Sequence, residues 1–217
     1  MQKRGLLSVI VLLFAFSDVV SQQLNELIPK DYDTLYEGMA RGDLNRDGIE
    51  DIVLALYHHS EDSSETGSGT DEIPPRKLLV LFGSKSGYVK AAESSASILC
   101  KNCGGIFGDP FAGISISKNV LTIHHYGGSA WRWGYTHKFR FQGGGFYLIG
   151  KTSTSYWNVE HCDQLDEMAG LEYEDINYVT GSYEKKKIST ECKLLLNKKG
   201  KQKLQPLVSL TKFTIEN

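Results

Sequence analysis

The sequence predicts a mainly β protein, built from antiparallel meanders in two blade-like or sandwich-packed sheets, with one short helix. Three observations carry that expectation. Short apolar runs recur at even spacing between turn residues. One eleven-residue stretch alternates with strict period two. Only residues 160–172 ("EHCDQLDEMAGLE") carry a helix-like pattern. The chain has 217 residues, 41% of them hydrophobic, enough to bury a real core.

The elements follow in order. A first strand is expected near 34–41. "DIVLALY" (51–57) and "KLLVLFG" (77–83) are β-branched and aliphatic runs that read as buried strands. Between them, 58–76 is acidic and rich in Gly, Ser and Pro, which predicts a surface loop. "SKSG" turns the chain into a strand over 88–94. "GISIS" and "VLTIHHY" flank Lys118-Asn119, a two-residue hairpin turn. In "WRWGYTHKFRF", Trp131, Trp133, Tyr135, His137, Phe139 and Phe141 fall on one face, and Arg132, Gly134, Thr136, Lys138 and Arg140 on the other. "QGGG" leads into "FYLIGKT". Residues 178–188 and 192–210 each read as strand, turn, strand. These assignments give a first meander over 34–94, a second over 112–151 and a C-terminal β region over 173–213, within one domain spanning 22–217.

Residues 1–21 read as a signal peptide. "MQKR" is a positive leader, and "GLLSVIVLLFAF" is an apolar run of about a dozen residues, short for a membrane span. Small or moderate side chains in "VVS" place cleavage after Ser21. No later stretch is long and apolar enough to span a bilayer. The expectation is a secreted or periplasmic protein of the cell envelope. No N-x-S/T sequon occurs, which suits a bacterial envelope. Four cysteines allow three connectivities. The pairing favoured is Cys100–Cys103 and Cys162–Cys192, over a redox-active CxxC and over a zinc site that adds His161.

The net charge of −2 argues against a dedicated nucleic-acid binder, but it is unevenly spread. Residues 31–75 carry twelve Asp and Glu against two Arg, a local −10. Residues 185–217 carry nine Lys against two Glu, a local +7. Solvated faces are the expected reading of that basic stretch, because no aromatic interleaves its lysines before Phe213.

The sharpest motif is "GDLNRDGIEDIVL" (42–54). Counting from Asp43, oxygen side chains stand at positions 1, 3, 5 and 9: Asp43, Asn45, Asp47 and Asp51. Gly48 stands at position 6, where a loop wrapping an ion turns sharply, and Ile49 at position 7 offers a backbone carbonyl. Calcium takes six to eight hard oxygen ligands, and alternation of this kind aims them inward. Leu54 at position 12 and strand-like flanks fit an EF-hand poorly. The loop resembles the calcium-binding loop of FG-GAP-type repeats, found in integrin α-chain propellers and many exported bacterial proteins. The likeness covers about thirteen residues in a single copy. It implies calcium as the cofactor, held by Asp43, Asn45, Asp47, Ile49 and Asp51. The block from "ILCKNCGGIFGDPFAGISI" to "HHYGGSAWRWGY" is also similar to a group of uncharacterised exported bacterial proteins, which brings no activity with it.

No GxSxG elbow, HExxH or phosphate-cradling loop is present. Adjacent His124 and His125 on a strand point to opposite faces. The aromatic face of 131–141 is expected to be chiefly sheet core, with Trp131, Trp133 and Tyr135 as a candidate platform for a protein or glycan. The expected function is an exported, calcium-stabilised binding or structural module. The alternative is an exported hydrolase whose site assembles only in the fold, signalled by a concave pocket holding a His or a paired carboxylate.

Overall fold

The structure, a computed structural model, describes residues 24–63 and 73–215. The leader assigned to 1–21 lies outside them. Thirteen antiparallel strands form two main sheets and one small ladder. Sheet A is the meander β1 (Tyr32–Gly42), β2 (Asp51–His58), β3 (Lys77–Ser84) and β4 (Gly87–Ser94). Sheet B runs in the order β13-β12-β11-β8-β7-β6-β5. Its strands are β5 (Phe111–Ser117), β6 (Val120–Gly128), β7 (Trp131–Gln142), β8 (Gly145–Trp157), β11 (Glu172–Asn177), β12 (Ser182–Ile188) and β13 (Leu194–Lys201). Two-residue strands β9 (His161–Cys162) and β10 (Glu167–Met168) pair with each other.

Turn chemistry sets the hairpins. Lys118 and Asn119 both have positive φ, 51° and 60°, as do Gly143 and Gly144, 56° and 80°. Positive φ at both central residues marks the two-residue hairpin whose twist matches its strands. Ser117 therefore pairs with Val120, and Gln142 with Gly145.

Sheet A is covered on both faces. Val53, Ala55, Leu78 and Val80 face inward and share one core with Ile114, Leu121, Ile123, Phe139, Phe146 and Leu148 of sheet B. Ile52, Leu54, Leu56, Leu79 and Leu81 face outward and meet Leu24, Leu27 and Ile28 of a helical turn at the start of the described chain. That double burial explains why β2 and β3 read as continuous apolar runs.

Sheet B reaches well past sheet A. After β13 the chain returns along the first half of β8: Leu148 N donates to Val208 O and Leu210 N to Phe146 O. Leu210 and Phe213 then plug the core. The strands β11–β13 stand clear of it as an open wing.

Three assignments change. Residues 160–172 form no helix; they hold β9, β10 and tight turns, with Asp166 at φ 51°. The apolar spacing that suggested a helix instead gathers Cys162, Leu165, Ala169 and Leu171 with Ile188 around the Cys162–Cys192 disulfide. The short helix is at Ser60–Ser63. The two described ends of the expected surface loop 58–76 are not wholly at the surface, since Glu61 and Arg76 are 4% and 2% exposed, and its middle, 64–72, lies outside the described residues. Finally, β11 begins before residue 178, which opens the turn to β12, and 202–208 form no strand. Among the described residues no helix is long and apolar enough to cross a membrane.

Candidate functional site

The loop joining β1 to β2 is built by its own side chains. Asp43 Oδ1 accepts the N–H of Arg46 (2.6 Å), and its Oδ2 accepts that of Gly48 (3.1 Å). Asn45 Oδ1 accepts from Asp47 N (2.9 Å), and Asp47 Oδ1 from Ile49 N (2.8 Å). Each bond curls the chain by a few residues, and left-handed Gly48 (φ 80°) makes the sharp turn expected of it. Asp51 has a different role. It is wholly buried, with Oδ2 accepting from Leu44 N (2.7 Å) and Asn45 N (3.3 Å) and Oδ1 from Gly83 N (2.9 Å). Burial pushes its pKa up; the backbone bonds pull the other way, and the Asp47 charge adds to the rise. Gly83 is required here, because a Cβ on it would lie 2.2 Å from Glu50 O.

The loop is fastened to both sheets. Asp51 ties it to β3, Asn119 Nδ2 donates to Asp43 O (2.5 Å) from the β5–β6 turn, and Leu44 is buried in the shared core. The donor set suits calcium in part. Asp43, Asn45 and Asp47 supply oxygens on accessible side chains, each with lone pairs beyond its one backbone bond. Asn45 Nδ2 now donates to Asp47 Oδ2 (2.9 Å), a contact a cation would replace. Asp51 Oδ2 already holds two N–H donors and Oδ1 holds one, from Gly83, which leaves Oδ1 with a single further lone pair. Among the described residues no three His, Cys, Asp or Glu side chains converge as a metal-holding group. The set thus depends on the Asn45 amide and on the Ile49 carbonyl as well.

The aromatic face of β7 divides along its length. His137 and Phe139 are buried, and both rings pack on Phe213 at 4.8 and 5.2 Å. Phe141 packs edge-on to Phe82 of sheet A at 5.0 Å. The other half lies beyond sheet A. Trp133 and Tyr135 are half-buried with ring centres 5.2 Å apart. Trp131 is 45% exposed, 5.5 Å from Trp157, and rests on Gly170, where a Cβ would come within 2.5 Å of the ring. Beside Tyr135 a shallow groove of about 390 Å³ crosses Ser153 and Ser155 towards Glu172, Glu174, Lys185 and Lys187.

Four of the nine lysines in the basic C-terminal stretch are ion-paired. Lys185 pairs with Glu174, Lys187 with Glu172, Lys186 with Glu167 (2.5 Å) and Lys199 with Glu184 (2.9 Å). Strand register explains three of these pairs, since Glu174 lies opposite Lys185, Glu172 opposite Lys187 and Glu184 opposite Lys199.

Both expected disulfides form, Cys100–Cys103 and Cys162–Cys192, and no described cysteine is free. Bonds of this kind belong to oxidising compartments. The buried histidines of sheet B, His125 and His137, are poorly suited to proton transfer near pH 7. His125 Nε2 accepts from Leu99 N (3.2 Å), which places the ring proton on Nδ1, a buried atom with no partner. Burial, then the charges of His137 and Arg76, lowers its pKa to about 3. His137 falls to about 4, through burial and then Lys151. His124 bonds Thr136 Oγ1 (3.1 Å). Two concave pockets do contain histidine, one His137 and the other His124 and His125, and neither is lined by a carboxylate.

One polar cluster escaped the sequence reading. Arg76 Nε and Nη2 bond Glu61 (2.8–3.1 Å), Nη1 and Nη2 bond Asp109 (2.7 and 2.6 Å), and Nη1 also bonds Leu99 O. Burial opposes the Arg76 charge, but the bonds to Asp109 and Glu61 outweigh it and hold the pKa above its usual value. Asp109 also accepts from Phe111 N. The partners lie 15 and 33 residues from Arg76, so no local pattern announced them.

No protein-family model matches this chain, and no curated protein or solved structure does so either. Fold and site together define a two-sheet antiparallel β protein with an acidic inter-strand loop and an open aromatic face.

Proposed function

We propose that the protein is an exported binding module whose fold is stabilised by calcium in the 43–51 loop. The observation that carries this reading is the placement of the loop. It offers three accessible side-chain oxygens in one turn while being fastened to sheet A through Asp51, to sheet B through Asn119 and to the core through Leu44. An ion held there ties together segments from both sheets. Its residents are Asp43, Asn45 and Asp47, with the Ile49 carbonyl and Asp51 Oδ1 as further oxygens. The half-covered rings of Trp131, Trp133 and Tyr135 are the face offered to a protein or glycan partner. Two disulfides and the leader-like residues 1–21 support a secreted or periplasmic location.

Thermal melting tests the reading. An ion that binds only the folded loop adds about 2.7 kcal/mol at a hundredfold excess over Kd. Extracellular calcium modules have Kd of about 10⁻⁴–10⁻³ M, so a few millimolar calcium should raise Tm over chelator. Magnesium, which demands a tighter octahedral shell, should do much less. Asp47→Ala should remove the calcium response with little cost to the calcium-free protein, since Asp47 is exposed. Equal Tm in chelator and calcium would reduce the loop to an acidic turn.

A further inference from the structure

A second cavity, on the other side of Tyr135 from the open groove, has a different character. It holds about 380 Å³, within the range of small-molecule sites. Its floor is β7 and β8, through Tyr135, His137, Leu148 and Lys151; its walls are the C-terminal segments 205–208 and 212–214. Charge sets it apart. Lys151 and Lys212 line it, and no Asp or Glu does. Lys151 also borders the neighbouring groove, where Lys185 and Lys187 are each matched by a glutamate, but Lys151 and Lys212 are themselves in no ion pair among the described residues. Lys151 Nζ sits 5.9 Å over the Tyr135 ring. The remaining surface is apolar: Leu148 and Phe213 are 6% and 7% exposed and both belong to the core.

We propose that this cavity binds a small organic anion, with its charge taken up by Lys151 and Lys212 and its apolar body by Tyr135, Leu148 and Phe213. Uncompensated ammonium groups beside a low-dielectric wall attract anions more strongly than the same groups in open solvent. The C-terminal walls shield the body from water, and burial of that body adds affinity in proportion to its area. His137 lends support. It is 3% exposed, its Nδ1 has no partner, and burial together with the Lys151 charge keeps the ring neutral near pH 7. The positive field at the floor therefore comes from the lysines. Phosphate monoesters and carboxylates share this chemistry. The site shares Tyr135 with the proposed partner face but rests on neither the calcium loop nor the tryptophans, so its failure leaves the proposed function intact.

The test uses the full mature chain, with phenylphosphate, 3-phenylpropionate and inorganic phosphate as probes and benzyl alcohol as the neutral control. NMR follows the His137 ring resonances. An aryl anion should give saturable shifts with Kd of about 1 mM or tighter, equivalent to about −4 kcal/mol. The tighter of the two aryl probes assigns phosphate or carboxylate, and inorganic phosphate should bind more weakly than phenylphosphate. Lys151→Gln should weaken binding about tenfold. Lys212→Gln, at an exposed position, should do the same without risk to folding, while Lys185→Gln should leave affinity unchanged. The proposal is overturned if neither aryl anion gives a saturable shift up to about 10 mM, ten times that Kd. It is equally overturned if benzyl alcohol binds as well, or if Lys185→Gln weakens binding as much as Lys212→Gln.

Discussion

Sheet A and sheet B solve opposite problems with the same antiparallel ladder. Sheet A has apolar cover on both faces, and its central strands β2 and β3 are almost wholly buried. Sheet B has nearly twice the strands; its β5–β8 end packs on the shared core, and only the small cluster around Cys162 covers part of β8, β11 and β12. Its far wing of β11–β13 is held by cross-strand Lys–Glu pairs. Packing in sheet A makes stability and leaves little surface for recognition. The wing contributes less stability and presents both the groove and the outer aromatic face.

The largest expected effect comes from cutting the clasp between the sheets. Arg76 immediately precedes β3 of sheet A, and Asp109 leads into β5 of sheet B. Arg76→Ala takes from Glu61, a buried carboxylate, the guanidinium that bonds both its oxygens. Removing one partner of a buried pair costs about 3–5 kcal/mol. Urea unfolding at pH 7 should show a loss of that size in Arg76→Ala. Arg76→Met combined with Glu61→Leu should lose less, because no buried charge is left behind. A single-mutant loss under about 1 kcal/mol, the scale of an exposed pair, would mean that the cluster does not join the sheets.

Acid should strike the same junction next. His125 and His137 carry pKa values of about 3 and about 4 in the folded chain, against an ordinary histidine value of 6.5. The folded state therefore binds fewer protons than the unfolded one, and stability rises with pH. The contribution is complete above about 6.5 and is lost as pH falls from there through the folded values. Between pH 6.5 and 5, above most carboxylate titrations, the loss should be on the order of 2 kcal/mol per histidine. His137→Phe, which keeps the ring packing on Phe213, should flatten that slope. A profile that is flat in the native protein would place protonation of these rings outside the folding equilibrium.

Much of this was readable from local pattern. The period-two run of β7, the Lys118-Asn119 turn and the apolar β2 and β3 each carry their structure in adjacent residues. So do Gly48 and the Asp43–Asp47 turns, which need only neighbours a few residues away. Alternation gave the face of Trp131, Trp133 and Tyr135, but it could not say where along β7 the cover by sheet A would end. That boundary depends on Phe213, which returns from the far end of the chain. The Glu61–Arg76–Asp109 cluster was invisible for the same reason. Residues 160–172 misled because Leu165, Met168 and Ala169 mimic helical spacing, whereas Cys162 is held to Cys192 and β9 pairs with β10.

The smallest expected effect tests the other half of the contrast. Lys185 and Glu174 sit opposite each other on β12 and β11, with side chains 41% and 29% exposed. A pair this accessible gains little in water and loses side-chain entropy, so its net worth is about 0.2–1 kcal/mol. Lys185→Gln should lower stability by no more than that at low salt. The difference should shrink towards zero at about 1 M salt, where the screening length falls to about 3 Å. Urea midpoints at both salt concentrations measure it. A loss above about 2 kcal/mol that persists in high salt would show the pair acting as the Arg76 clasp does. The wing would then be part of the cooperative core and not a surface laid over it.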